Sequence, residues 1–289
     1  MKIVKNLAII GVGLIGGSLA LALKKAKAVG EIWGLGSSNA TLQRAKELRV
    51  IDKIADYSDL VNADVIILAS PVDAMFEICQ KLAKLELKKE VIFSDVGSTK
   101  QSVLKAFEEA FKVIPPNLVL AHHIAGREKS GVVAATSELF VNHRVILTTL
   151  ENTDYKALGI ISSLWYATGA EVSNMDIKAH DEILGATSHL PHILAYLLVD
   201  MLDSDLPHAN IFSYAAGGFR DFTRIASSSP IMWRDISLNN AENLKNLLKT
   251  YRTRIKHFEE LLTKKEAEEI FNIFSRAKSA RDSFINREI

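Results

Sequence analysis

The side chains best suited to moving a proton or holding an anion fall into three short segments. The first, Ala121-His-His-Ile-Ala-Gly-Arg-Glu-Lys-Ser-Gly131, carries His122, His123 and Arg127. A histidine exchanges its proton near neutral pH. Either of the pair, set beside a substrate hydroxyl, could therefore accept its hydrogen bond and draw off its proton. The competing reading is a pair of surface or capping histidines, and for His143, His208 and His257 that plainer reading is the better one. The second segment, Ser94-Asp-Val-Gly-Ser-Thr-Lys100, turns at Gly97 and puts the hydroxyl of Ser98 just ahead of a helix expected over 100–111. There it either faces a ligand or caps the helix. The third runs from His180-Asp181 through Thr187-Ser-His-Leu-Pro-His192 to Gly217-Gly-Phe-Arg-Asp-Phe-Thr-Arg224. His189 and His192, three apart, share a helix face, and Arg220 and Arg224, four apart, can turn into one pocket. A guanidinium fork matches a carboxylate, so this cluster points to an acidic substrate, against the alternative of a solvated charged face. The histidines lack cysteine or carboxylate neighbours at ligand spacing, so no metal is expected.

These groups need a scaffold that brings them to one edge. Gly11, Gly13 and Gly16 stand behind the apolar run Leu7-Ala-Ile-Ile10 and ahead of a stretch, 18–27, that reads as a helix. A strand, a tight glycine turn and a helix let the backbone approach a pyrophosphate, whose charge the helix amides and dipole attract. The turn, with Leu14 and Ile15 in it, therefore reads as a dinucleotide site. Further strands are expected at 31–35, 65–69, 91–94, 118–121, 145–148 and 171–173, with helices between them. Runs such as Val65-Ile-Ile-Leu-Ala69 are apolar on both faces, as in a parallel sheet covered on each side. Ser70 and Pro71, directly after that run, fall at the edge where the dinucleotide would lie.

Beyond Met175 no convincing strand appears. The expected fold is α/β: an N-terminal Rossmann-type doubly wound, mostly parallel sheet over 1–174, followed by an all-helical domain over 175–289. Leu244, Leu248, Tyr251, Ile255, Phe258 and Leu262, spaced alternately by four and three, form a seam that wants a helical partner. That partner is a helix of the same chain or, as expected here, a second copy, giving a homodimer through the C-terminal helices. The charged stretch 277–289 is expected to fray. Lys+Arg 35 against Asp+Glu 34 gives no electrostatic reason for nucleic acid or an anionic membrane as partner, so a small molecule is expected. No apolar stretch is long enough to cross a bilayer and the first residues run straight into a strand, so the expectation is a soluble cytoplasmic protein. The single cysteine, Cys79, with Phe76, Ile78 and Leu82 around it, reads as part of a buried apolar helix face without catalytic duty.

Five segments together resemble, in order, those of the prephenate and arogenate dehydrogenases of tyrosine biosynthesis. They are Gly11-Val-Gly-Leu-Ile-Gly-Gly-Ser18, Asp95-Val-Gly-Ser-Thr-Lys100, His122-His-Ile-Ala-Gly-Arg-Glu128, Thr187-Ser-His-Leu-Pro-His192 and Gly217-Gly-Phe-Arg-Asp-Phe-Thr-Arg-Ile-Ala226. The resemblance spans nearly the whole chain, and the last two segments are its most specific part. It implies oxidative decarboxylation of prephenate. Hydride leaves the ring carbon bearing the hydroxyl, carbon dioxide leaves the opposite ring carbon, and aromatisation to 4-hydroxyphenylpyruvate drives the reaction. By position in the motifs, His122 is the catalytic histidine and Ser98, beside the nicotinamide, orients it or the hydroxyl. Arg224 binds a substrate carboxylate and His192 lies near the side chain that distinguishes prephenate from arogenate, pointing to prephenate. His189 supports the pocket.

Two departures stand out. The family usually follows the first histidine with proline, where this chain has His123, which leaves the choice between His122 and His123 open. At the end of the second strand, Gly36 stands where an NAD enzyme normally carries an acidic residue for the adenosine ribose. With no carboxylate to repel a phosphate, and with hydroxyls at Ser37, Ser38 and Thr41 and a guanidinium at Arg44, NADP is the expected cofactor and NAD the alternative. Two other classes compete. A non-catalytic dinucleotide sensor would need the glycine turn but not the gathered hydroxyl, imidazole and guanidinium groups. A β-hydroxyacid dehydrogenase of similar build would need a motif lysine, and 176–201 holds only Lys178.

Overall fold

The computed structural model describes residues 2–127, 129–204 and 211–285, so His208 lies outside the described residues. The apolar run at the N-terminus forms β1 (Val4–Ile10), and the glycine turn opens α1 (Leu14–Lys25), four residues earlier than the helix read from sequence. Gly11 has φ of +106°, which only glycine adopts freely, and a Cβ there would lie 2.6 Å from the Ala69 carbonyl. Gly16 packs closer still, since a Cβ would fall 2.2 Å from the Gly11 carbonyl oxygen. The helix therefore rests directly on the strand ends.

The chain then alternates as expected through β2 (Val29–Leu35), α2 (Asn39–Glu47), β3 (Lys53–Ile54), β4 (Val65–Leu68), α3 (Met75–Leu82), β5 (Ile92–Asp95), α4 (Lys100–Phe111), β6 (Leu118–His123), β7 (Arg144–Thr148), α5 (Tyr155–Ala167) and β8 (Glu171–Met175). One sheet joins them in the order β3-β2-β1-β4-β5-β6-β7-β8. Every pairing is parallel except β6 with β7. The two-residue β3 is too short to leave a period in the sequence, and it pairs only with Trp33 and Gly34. Leu7, Ile9, Val65 and Ile67 face one buried layer with α1 and α5, while Ala8, Ile10, Ile66 and Leu68 face the other with α3 and α4. Both faces are covered, which is why these strands read as unbroken apolar runs. Cys79 is buried in the second layer with Ile78 and Leu82, but Phe76, expected on the same face, is 40% exposed. Burial pushes the Cys79 thiol up to about 12, which leaves it inert as a nucleophile.

Among the described residues everything after β8 is helical: α6 (Ile177–Leu184), a π-helical turn (Gly185–His189), α7 (Leu190–Ser204), α8 (Gly217–Thr223), α9 (Pro230–Asn239), α10 (Ala241–Lys264) and α11 (Ala267–Ile285). None of these helices is long and apolar enough to cross a membrane. Packing divides the chain into Met1–Ala241 and Glu242–Ile289. Within the second unit Phe258 meets Phe274 with centroids 5.8 Å apart, while Tyr251, Ile255 and Leu262 of the seam and Phe271 of α11 are exposed. Helix α11 continues to Ile285, through most of the stretch expected to fray.

Gly16→Ala is expected to lower the unfolding free energy of the ligand-free protein by about 1–3 kcal/mol, because the atoms it meets are backbone or short side chains with nowhere to go. Urea denaturation measures this, and an unchanged midpoint contradicts the packing described.

Candidate active site

Strands β1, β2, β4, β5 and β6 end at one edge of the sheet, and the loops leaving them carry most of the residues singled out from sequence. At the end of β1, Gly13 is the N-cap of α1 and offers no side chain to the helix amides, and the first turn holds no acidic residue. A Cβ at Gly13 would meet nothing within 4 Å, so its open side faces space rather than protein. With Leu14, Ile15 and Gly16 beginning the helix, this cradle fits the phosphates of a dinucleotide. Ser70 donates its hydroxyl to the Ile10 carbonyl at 3.1 Å and thereby ties the loop after β4, with Pro71 exposed beside it, to the same crevice. After β2, Gly36, Ser37 and Ser38 are exposed. Ser38 caps α2, accepting from the Thr41 amide at 3.2 Å and the Thr41 hydroxyl at 3.1 Å, and Arg44 faces Glu47 at 2.9 Å.

The β5–α4 loop is held by a buried ion pair. Asp95 and Lys100 are both fully buried and bonded to each other. Asp95 also accepts from the amides of Gly97 at 2.8 Å and Ala121 at 3.0 Å, and Lys100 donates to the Ala121 carbonyl at 2.7 Å. Charges taken out of water require such partners, and here the partners lock the loop bearing Ser98 to the strand end bearing His122. Ser98 is half-buried in this loop. It does not cap α4. The N-cap is Thr99, whose hydroxyl pairs with that of Ser102 at 2.6 Å and makes no cap bond. The cap comes from Asp181 on α6, which accepts from the amides of Lys100 at 2.8 Å and Gln101 at 2.9 Å.

His122 and His123 are adjacent on β6 and so point to opposite faces. His123 turns to the Phe140 ring, 5.9 Å away, and to the Val96 carbonyl; burial and then Lys100 push it down to about 4. His122 turns to α6, where its Nδ1 lies 2.9 Å from His180 Nε2, and His180 Nδ1 lies 2.8 Å from Asp181 Oδ1. Burial, then His123, Lys100, His180 and His189, hold His122 well below the ordinary histidine value, so it is neutral. Burial alone would raise the Asp181 carboxyl, but hydrogen bonds from His180 and the two amides outweigh it and hold the group below its usual range. The result is a neutral buried imidazole linked to a buried carboxylate.

A second wall comes from the helices. The π-helical turn aims His189 inward, where its Nδ1 meets Asn240 Nδ2 at 3.0 Å and its ring stands edge-on to Trp233, 6.0 Å away. His192 stacks on the same indole at 3.6 Å and gives its Nδ1 proton to the Ser188 carbonyl at 2.9 Å. Arg224, which opens the short turn Arg224–Ser227, is close enough for its charge to act on His192. The turn is anchored by Tyr196, whose hydroxyl donates to the Ser228 carbonyl at 2.6 Å. Arg220 is exposed in the last turn of α8, Arg127 is exposed in the loop after β6, and His143 and His257 are surface residues. Lys178 is exposed on α6 and faces Glu182 at 3.9 Å. Sequence reasoning missed the roles of Trp233 and Asn240. It noted the His180-Asp181 pair without seeing that Asp181 caps a helix 81 residues upstream.

Comparison with known proteins places these features in context. Residues 19–174 match the family model described as prephenate dehydrogenase, nucleotide-binding domain, and residues 176–276 the one described as prephenate dehydrogenase, dimerization domain. A prephenate dehydrogenase of Bacillus subtilis is 38% identical over 283 residues, 96% of this chain and 76% of that protein. A cyclohexadienyl dehydrogenase of Zymomonas mobilis is 35% identical over 286 residues, 97% of this chain and 96% of that protein. The crystal structure of prephenate dehydrogenase from Aquifex aeolicus, in complex with hydroxyphenyl propionate and NAD+, superposes with a TM-score of 0.89 at 35% identity. It covers 98% of both chains.

The buried neutral histidines make stability depend on pH. His189, held down at about 4 chiefly by burial, stays neutral in the fold while the unfolded chain protonates near pH 6.5. Stability is therefore expected to fall as pH drops from about 6.5 to about 4, by about 1.4 kcal/mol per pH unit for each such histidine. Urea melts at about pH 7, 6 and 5 measure the slope, and a flat profile contradicts it.

Proposed function

The chain belongs to the prephenate dehydrogenase family, and on that premise we propose that it converts prephenate to 4-hydroxyphenylpyruvate by oxidative decarboxylation. It is a pyridine-nucleotide-dependent dehydrogenase. The observation that carries the reading is His122, buried, neutral and hydrogen-bonded through Nδ1, which leaves Nε2 to accept from a substrate alcohol. In the proposed reaction His122 accepts the ring hydroxyl's hydrogen bond and takes its proton as the carbonyl forms. Ser98, on the loop locked to the same strand end, orients the hydroxyl. Arg224 holds a carboxylate against the wall formed by His189, Trp233 and His192. Arg220 and Arg127, exposed at the rim, contribute to attraction of the acidic substrate. The oxidised nicotinamide, when bound, supplies the hydride acceptor. Gly11, Gly13, Leu14, Ile15, Gly16, Ser70 and Pro71 would hold the dinucleotide, with Gly36, Ser37 and Ser38 at its adenosine end.

NADP is proposed as the preferred form, because Gly36 presents no carboxylate to a ribose phosphate and Ser37 is exposed beside it. The Aquifex aeolicus structure contains NAD+, so NAD is the form to compare. One observation favours arogenate as a second substrate. His192 gives its Nδ1 proton to Ser188, and burial followed by Arg224 lowers its pKa. The neutral ring presents an accepting Nε2, which suits an ammonium better than a keto oxygen. We assign dinucleotide binding to 1–174 and substrate binding and dimerisation to 175–289, supported by the extents of the two family models and by the exposed Tyr251, Ile255, Leu262 and Phe271.

Incubation with prephenate or arogenate and each oxidised cofactor, following reduced nucleotide and carbon dioxide together, tests the function. Equal yields of both products support it; nucleotide reduction without carbon dioxide, or neither, overturns it. His122→Asn is expected to keep dinucleotide affinity while turnover falls about 100- to 10,000-fold, since a positioned base acts mainly in the transition state. Steady-state kinetics with NADP+ and NAD+ check this, and unaltered turnover moves the role to His123.

A further inference from the structure

His180 and Asp181 are completely buried ionisable neighbours that the function above does not use. Their donors fix where the protons lie. Asp181 accepts from the amides of Lys100 and Gln101 and from the Gln101 side chain at 3.3 Å, all groups that can only donate. An ionised carboxylate in that setting requires a donor at His180 Nδ1 as well, because a bare nitrogen 2.8 Å away would oppose two lone pairs. When His180 carries its one proton on Nδ1, its Nε2 is bare, and only a proton on His122 Nδ1 completes the 2.9 Å contact between the rings. The remaining nitrogen of His122, Nε2, is then bare.

We infer that Asp181 and His180 are positioning residues for the reaction: they hold the His122 proton on Nδ1, and they share the positive charge that His122 gains when it takes the substrate hydroxyl's proton. The proton balance closes within the chain of rings. The substrate O–H breaks and Nε2–H forms on His122; its Nδ1 proton can shift to His180 Nε2, which places the charge against the Asp181 carboxylate. The positive end of α4 stabilises that carboxylate through the same two amides. The groups facing His122 are His123 on its own strand, Lys100 on α4, His180 on α6 and His189 on the π-helical turn. All disfavour the imidazolium, so Asp181 is the counterweight. The inference rests on the reading of His122 as the base.

A double-mutant cycle on the intact enzyme tests it. Asp181→Asn is expected to lower kcat with prephenate about 100-fold or more, with KM and dinucleotide affinity within about threefold. The acid limb of the kcat–pH profile should move to lower pH, because the imidazolium has lost its carboxylate. The double variant His122→Asn with Asp181→Asn should be no slower than His122→Asn alone, within about threefold, since Asp181 acts only through His122. His180→Gln, which leaves the α4 cap in place, should reproduce the loss and the shift of the limb, and it serves if thermal melts show Asp181→Asn unfolded. A double variant slower by the product of the two single effects, or an unmoved limb with kcat within about threefold, overturns the inference. Unaltered turnover in His122→Asn instead overturns the base assignment itself.

Discussion

A carboxylate removed from water must find donors, and Asp181 finds four: the amides of Lys100 and Gln101, the Gln101 side chain and the His180 ring. They tie it to two parts of the site. The amides belong to the first turn of α4, directly after the loop that carries Ser98, so the helical segment that supplies Asp181 is pinned to the sheet edge. The ring passes the same constraint to His122 at the end of β6. Taking this carboxylate away would leave the buried Lys100 amide, the partly buried Gln101 amide and an imidazole without an acceptor, and an unmet buried hydrogen bond costs about 1–3 kcal/mol.

A second buried charge does the complementary work. Lys100 and Asp95 bond to each other and to the backbone of Ala121 and Gly97, so the β5–α4 loop and the β6 end move as one piece. Burial pulls Lys100 below the ordinary lysine range and Asp95 opposes that pull. Burial, with Lys100 adding to it, keeps both His122 and His123 neutral. The two pairs thus set apart the roles of neighbouring residues on one strand. His122 is linked to a carboxylate that steadies a charge arriving from substrate; His123 packs against Phe140 and has no such link.

Much of this was legible in the residues. Apolar runs marked the central strands, such as β1 and β4, because a sheet covered on both faces needs side chains of one kind throughout, and the glycine turn marked the passage from β1 into α1. The two-residue β3 left no period to read. The site was legible as residue types but not as connections. Ser98 could be read as cap or ligand group, and only the fold shows that Asp181, far off in sequence, supplies the cap. The adjacent histidines could not be ranked from sequence, since their difference lies in which face of β6 each occupies. Trp233 gave no signal because a single indole in a helical stretch reads as ordinary core. Its stacking with His192 depends on how α9 returns to the start of α7.

The central claim is a statement about one proton. Nitrogen-15 NMR of the histidine rings in the intact protein near neutral pH, with His122 and His180 assigned by substitution, locates it directly. The account predicts hydrogen on Nδ1 and a bare Nε2 in both rings. A proton on Nε2 of His122, or a His122 ring protonated at both nitrogens, would contradict it.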